Sequence, residues 1–294
     1  MNATAARRRL LPYFLLGPGL VWLVLFFVIP LYFMGRLALE SGSLQDPEGF
    51  VFTWEWANFS EGLSLYESQF VRSFLYAGAA TVIAFLIAYP LAYAIAFRAG
   101  RWKNVLLFAV VAPFFTTYLI RTIGWQTILS DDSPIVDVMK AVGLLGEDGR
   151  LLATGGAVIA GLTYNFLPFM TLTLYASLER IDRGLIEAAK DLYSSASAAF
   201  WRVTLPLSAP GIVAGTLLTF IPAAGDYINA EFLGSSNQAM IGNVIQGEYL
   251  VNLNYPVAAA LSFTLMAVIM IVVVIYIRFA GSEALMGEET EVAR

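Results

Sequence analysis

The stretch SLERIDRGLIEAAKDLYSSASAAFWRVTLPLSAPG, Ser177–Gly211, is a polar island in a mostly apolar chain, and its reading decides how the rest is arranged. Within it Leu185, Ile186, Ala189 and Leu192 recur at helical spacing beside Glu187, Lys190 and Asp191. A disordered linker would carry no such stripe. The pattern predicts two short amphipathic helices, broken near Tyr193 to Ser195, that lie along a membrane surface and present a ridge to another molecule. Leu205 and Pro206 close the unit before the next apolar run begins.

On both sides of this island the composition is that of a membrane protein. Of 294 residues 59% are hydrophobic and 13% charged, so a water-soluble globule would lack the polar surface to cover itself. A helix needs about 20 mostly apolar residues to cross roughly 30 Å of hydrocarbon. Six segments meet or approach that length, at about 13–34, 71–97, 104–129, 153–176, 209–226 and 256–278. The expected fold is therefore all-α: one polytopic membrane domain over residues 1–294, with about six transmembrane helices and one long polar loop at 177–208. The first segment follows Arg7, Arg8 and Arg9, but its apolar run is longer than a signal-peptide core and Arg36 follows it without a small-residue cleavage site. It reads as an uncleaved helix.

Basic residues set the orientation, because loops rich in Lys and Arg stay on the cytoplasmic side. With the N-terminus inside, Arg7, Arg8, Arg9, Arg98, Arg101, Lys103, Arg180, Arg183, Lys190, Arg202, Arg278 and Arg294 share that side. Asp46, Glu48, Glu55, Asp131, Asp132, Glu147 and Asp148 then make the other side acidic. Both termini are expected in the cytoplasm. Pro18 and Pro30, Pro90, Pro113, Pro168 and Pro222 fall inside the first five segments, and each is expected to bend or open its helix, because proline removes a backbone donor and crowds the carbonyl one turn back. Bent helices can enclose a pathway.

Several functions are excluded or disfavoured. With no histidine and no cysteine, imidazole acid–base chemistry, thiol nucleophiles and the usual zinc sites are unavailable. A net charge of −5 disfavours a nucleic-acid partner. The only lysines, Lys103, Lys140 and Lys190, follow Trp102, Met139 and Ala189, so none belongs to a phosphate-cradling GxxxxGK[ST] loop. The chain hydrolyses no ATP by itself. An ion-coupled carrier would place charges at mid-membrane, and these segments are nearly free of charge between their ends.

The run Glu187-Ala188-Ala189, followed eighteen residues later by Leu205-Pro206, resembles the EAA loop of permease subunits in binding-protein-dependent ATP-binding cassette importers of the type I fold. The resemblance extends from about Phe14 to the last span. It implies that the loop forms coupling helices seated in a groove of the ATPase, with Glu187, Ala188, Ala189, Asp191, Leu192, Tyr193, Leu205 and Pro206 as the coupling residues. Tyr193 stands where the family usually has glycine, so the turn is expected to be built differently. The resemblance further implies a second homologous permease subunit, two ATPase subunits holding ATP and magnesium, an extracytoplasmic solute-binding protein, and no cofactor on this chain.

The segments Pro113–Trp125, Tyr164–Asp182 and Phe220–Gln246 resemble the polyamine branch of that family, beside branches for ferric iron, thiamine, phosphonates or opines. A polyamine route needs carboxylates at its mouth and aromatic faces within, where cation–π contact replaces lost hydration. Asp226 and Glu231, with Tyr227, Trp125 and Tyr164, are the candidates.

Overall fold

The computed structural model describes residues 16–193 and 195–281, with the backbone alone for Lys190, Tyr193, Ala280 and Gly281. Arg7, Arg8, Arg9 and Arg294, and residues 13–15 of the first expected span, lie outside the described residues. In chain order the helices are α1 Leu16–Leu37, α2 Ala57–Leu65, α3 Glu67–Phe97, α4 Lys103–Val111, α5 Tyr118–Leu129, α6 Pro134–Ala141, α7 Gly155–Glu179, α8 Arg183–Tyr193, α9 Ala196–Ala199, α10 Ala209–Ala224, α11 Ile228–Leu233, α12 Ile241–Leu250 and α13 Tyr255–Tyr276. Among the described residues the only strands are β1 Glu40–Ser41 and β2 Val51–Phe52, an antiparallel pair.

Four helices are long and apolar enough to cross a membrane: α1, α3, α7 and the helix Tyr255–Phe279. Two bent pairs raise the number to six, Gly100–Phe115 with Tyr118–Ala141 at 95°, and Ala196–Leu207 with Ala209–Ala224 at 63°. The third expected span is therefore not one rod.

The chain divides into two compact units. The first comprises residues up to Leu65 and Ile245–Thr264. Here Ala38, Ala259 and Ala260 are buried with Met34, Leu37, Phe59 and Phe263 around them. The Asn58 amide donates to the carbonyls of Ala38 (3.0 Å) and Glu40 (2.9 Å), tying α2 to the end of α1.

The second unit, Tyr66–Val244 with the segment from Leu265 onward, holds α3, α7 and α10 packed on one another. Its core follows a four-residue rhythm on each helix. In α7, Val158, Leu162, Phe166, Met170, Leu174 and Leu178 are buried at successive i+4 positions. Against them α3 turns Ala77, Ala80, Ala84, Ala88 and Ala92, and α10 turns Gly211, Gly215, Thr219 and Ala223. Lipid tails are as apolar as leucine, so membrane helices associate by close packing, and small residues let backbones approach. A Cβ on Gly211 would lie 2.4 Å from the Cβ of Ser177, and one on Gly215 would lie 2.8 Å from Met170 Sδ. Nothing larger than glycine fits at 211, and at 215 the Met170 side chain would have to move aside.

The prolines divide into those that break a helix and those that do not. Pro90, Pro168 and Pro222 lie inside α3, α7 and α10, which continue past them as unbroken helix rather than opening. These helices are packed along much of their length, so one lost bond costs less than opening the helix in an apolar medium. Pro113 does interrupt its span. It opens the 3-10 turn Ala112–Phe115, after which Thr116 and Thr117 are extended, with ψ of 147° and 150°. Both are β-branched, three and four residues after the proline, and favour that extended backbone. Pro30 and Pro206 have a third solution. Each follows a π turn, Val24–Val28 or Phe200–Thr204, whose closing amide reaches five residues back, Ile29 to Val24 O and Leu205 to Phe200 O. The wider turn moves away the carbonyl that the proline ring would strike.

Candidate functional site

The loop after α7 is positioned by its own polar ends. Asp182 Oδ1 accepts from the Gly184 amide at 2.9 Å, starting α8, and Arg183 Nη2 donates to Ala96 O at 3.4 Å. The break after α8 is where the sequence places it. Ser195 is extended, at φ −142° and ψ 139°, and its side chain accepts from the Ala198 amide to start α9. Tyr193 is the last helical residue of α8, and its side chain lies outside the described residues.

The apolar positions of α8 do not all face one way. Ile186 is buried with Ala92, Ala96, Leu174, Leu178 and Ile181, which lies just ahead of the helix, with Leu205 and Phe200 packed alongside, and Ala189 is buried too. Leu185, Ala188 and Leu192 are exposed, Leu192 at 78% and Leu185 at 52%. At 100° per residue the apolar arc spans about 160°, wider than the chain's own core uses. One edge docks α8 to its own chain, and the other is a bare ridge flanked by the exposed Glu187 and Asp191. On the side of α8 away from the ridge, Glu187, Arg98, Arg183, Tyr93, Phe97 and Ile186 line a cavity of about 240 Å³. Pro206 is exposed and Leu205 half-buried. Tyr89 shares a 2.8 Å hydrogen bond with Ser208, so α3 holds the far end of the loop as well.

The candidate solute residues fall into three groups. Trp125 and Tyr164 touch edge to face, with ring centroids 5.4 Å apart. Tyr227 and Glu231 meet through Asn243, whose Nδ2 donates to Tyr227 O (2.9 Å) and Glu231 Oε2 (3.1 Å). Asp226 is buried rather than lining an open mouth. It accepts from the Tyr118 hydroxyl and from the Asn229 amide (2.8 Å) and side chain (3.2 Å).

This last group extends into a network that the sequence did not single out. Asn229 Nδ2 also donates to the Tyr118 oxygen, Asn165 Nδ2 donates to Asn229 Oδ1 (3.1 Å) and Thr122 Oγ1 (3.4 Å), and Thr122 donates to Tyr118 O (3.2 Å). Thr122, Asn165 and Asn229 are at most 1% exposed. Asn165 inside an apolar run was the available signal, since amides in lipid need partners. Arg121 also lies within the third expected span, a charge between the ends of spans read as nearly free of them. Of the candidate solute residues, Tyr164 helps line an apolar cavity of about 310 Å³ with Leu106, Val110, Pro113, Leu167 and Thr171.

Helices long and apolar enough to cross a membrane, a split amphipathic loop and a buried polar network fit a membrane transport component. The chain belongs to the family of inner membrane components of binding-protein-dependent transport systems, whose model matches residues 8–282. It is similar to the spermidine/putrescine transport system permease protein PotB of Haemophilus influenzae, 36% identical over 87% of this chain and 90% of that protein. The Escherichia coli PotB is also 36% identical, over 87% and 93%. The E. coli inner membrane ABC transporter permease protein YdcU is 32% identical over 68% and 67%. A chain of a bacterial alginate ABC transporter in complex with its pentasaccharide-bound periplasmic protein shares the fold, with TM-score 0.68, 17% identity, and coverage of 94% of this chain and 96% of that one.

Proposed function

We propose that this chain is one of two membrane-spanning subunits of an ATP-driven importer that passes a polyamine, putrescine or spermidine, delivered by an extracytoplasmic binding protein. The observation that most supports the solute class is the 36% identity to spermidine/putrescine permeases over nine-tenths of their length. Energy comes from two separate ATPase subunits that bind ATP and magnesium and seat on the ridge Leu185, Ala188 and Leu192. ATP binding draws them together, α8 moves with them as a lever, and the spans pass from inward-open to outward-open. Transport is then coupled through different affinities for two conformations. No residue of this chain forms a covalent intermediate.

The solute route runs past Asp226, with Trp125 and Tyr164 supplying aromatic faces. Tyr227 and Glu231 stand nearer the surface. A buried carboxylate in a low-dielectric setting attracts an ammonium more strongly than an exposed one. Asp226→Asn is therefore expected to reduce labelled putrescine uptake at least tenfold, and Glu231→Gln by less than threefold. Cells carrying the full set of partners provide the measurement. Uptake of iron or thiamine but no polyamine refutes the solute, whereas unchanged polyamine uptake in Asp226→Asn refutes the residue assignment alone.

With both termini cytoplasmic, the loop 177–208 lies inside. A cysteine at Ser197 is expected to resist a membrane-impermeant thiol reagent in spheroplasts, and one at Gln45 or Asp148 to react. The natural chain has no cysteine to interfere. The reverse labelling pattern would overturn the orientation drawn from basic residues.

A further inference from the structure

Arg121 is the unmatched group of the polar network. A guanidinium stays protonated at any physiological pH. Its Nε and Nη1 are shut off from solvent without an acceptor, and the group lies over the rings of Phe114 (5.3 Å) and Tyr118 (5.6 Å). A ring face returns only part of the hydration that a buried cation loses. Among the described residues no Lys or Arg forms an ion pair with Asp226. The same Tyr118 that carries the cation on its face donates its hydroxyl to Asp226. Asn165 Oδ1, in that network, is a buried acceptor without a donor. Donors lacking an acceptor and an acceptor lacking a donor thus belong to residues linked to the same tyrosine.

We propose that Arg121 is the internal counter-cation of Asp226, with which the ammonium of the solute competes, so that Arg121 sets which cations the route accepts. Tyr118 and Arg121 are i and i+3 on α5, neighbours on one helix face, so the guanidinium projects from the same face as the hydroxyl that holds the carboxylate. In one arrangement Tyr118 holds Asp226 and Arg121 rests on the aromatic rings. In the other Arg121 holds Asp226 and the site is closed to a second cation. A primary ammonium with three donors takes the carboxylate in the first arrangement; a neutral or anionic solute cannot displace a guanidinium from it. The solute half of this inference rests on the polyamine reading above, whereas the pairing of Arg121 with Asp226 does not.

The test is a double-mutant cycle on the assembled importer. Tyr118→Phe removes the hydroxyl but keeps the ring under the guanidinium. It is expected to raise the half-saturating putrescine concentration about tenfold, the size of one charge-assisted hydrogen bond exchanged, at an unchanged maximal rate. Adding Arg121→Gln brings it back to within about twofold of Arg121→Gln alone. Arg121→Lys, which keeps the charge, leaves it raised. The coupling disappears when Asp226→Asn is added, which a role confined to ring stacking would not produce. Independent effects of Tyr118→Phe and Arg121→Gln, or coupling that survives Asp226→Asn, overturn the proposal. Should the wild type transport no polyamine, the solute reading fails, and the cycle is read instead in the heat-denaturation midpoint of the detergent-solubilised complex. Coupling there that depends on Asp226 sustains the pairing, and its absence overturns it.

Discussion

Replacing Leu185 and Leu192 with aspartate is expected to leave the chain in the membrane and strip the ATPase subunits from it. Both side chains are largely exposed, and neither belongs to the chain's own core. A charge at either place costs the isolated chain little, because surface substitutions away from special features stay within about 0.5 kcal/mol. If the ridge is the docking surface, each change also removes an apolar anchor and buries a carboxylate against the ATPase groove. Truncation of such an anchor alone costs about 2 kcal/mol or more, roughly thirtyfold in affinity, so two together abolish association at ordinary concentrations. Reversing Glu187 to Lys beside Arg98 and Arg183 is expected to act in the same direction. Ile186→Asp is the contrasting case. That side chain is 7% exposed and packed on α3 and α7, so its replacement should damage the chain itself and lower the amount of protein in the membrane. Co-purification of the ATPase with each variant separates the two faces, and normal uptake with both leucines changed would remove the coupling assignment.

The second large effect is expected at Gly211. A methyl group there meets the Ser177 side chain at 2.4 Å and the Thr173 carbonyl at 3.1 Å, and the carbonyl belongs to helical backbone that cannot turn aside. Gly211→Leu must separate α10 from α7. Overpacking typically costs about 1–3 kcal/mol, and a clash with backbone falls at or beyond the upper end. Most of the protein should then be lost before assembly. At Gly124, on the same kind of helix, an added Cβ meets nothing within 4 Å. Gly124→Ala should instead be neutral or slightly stabilising for this chain, since alanine favours helix over glycine by about 1 kcal/mol. Protein amount and thermal midpoint in detergent compare the pair. Equal behaviour of Gly211→Leu and Gly124→Ala would contradict the close α7–α10 contact.

What the sequence made legible, and what it hid, follows from the range of the interactions involved. Helix α8 and its break at Ser195 are local features, written in spacing and in one serine cap, and they lie where the sequence puts them. The expected single stripe proved to be two faces. Leu185 and Ile186 are adjacent and equally apolar, and only the position of α3 and α7 decides which of them is buried. The prolines show the same limit. The span breaks after Pro113, where the β-branched Thr116 and Thr117 favour extended backbone, whereas Pro168 sits among the packed side chains of α7 and is carried through. Asp226 was singled out as an acid at a mouth, yet its partner Tyr118 is 108 residues away and makes it a buried network carboxylate. Asn165 and Asn229, 64 residues apart, were invisible for that reason. Packing brings such pairs together, and no local pattern announces them.

Coupling of ATP hydrolysis on other subunits to movement of a polyamine through this chain can be measured without reference to any single residue. The direct measurement is ATP hydrolysis by the complete complex in proteoliposomes as its binding protein is added, empty or loaded with putrescine or spermidine. The expected result is a low basal rate, raised several-fold by the polyamine-loaded binding protein and not by the empty one, with loss of the response in the Leu185→Asp/Leu192→Asp variant. A complex that hydrolyses ATP at the same rate with and without polyamine, and responds instead to binding protein loaded with ferric iron or thiamine, would contradict it.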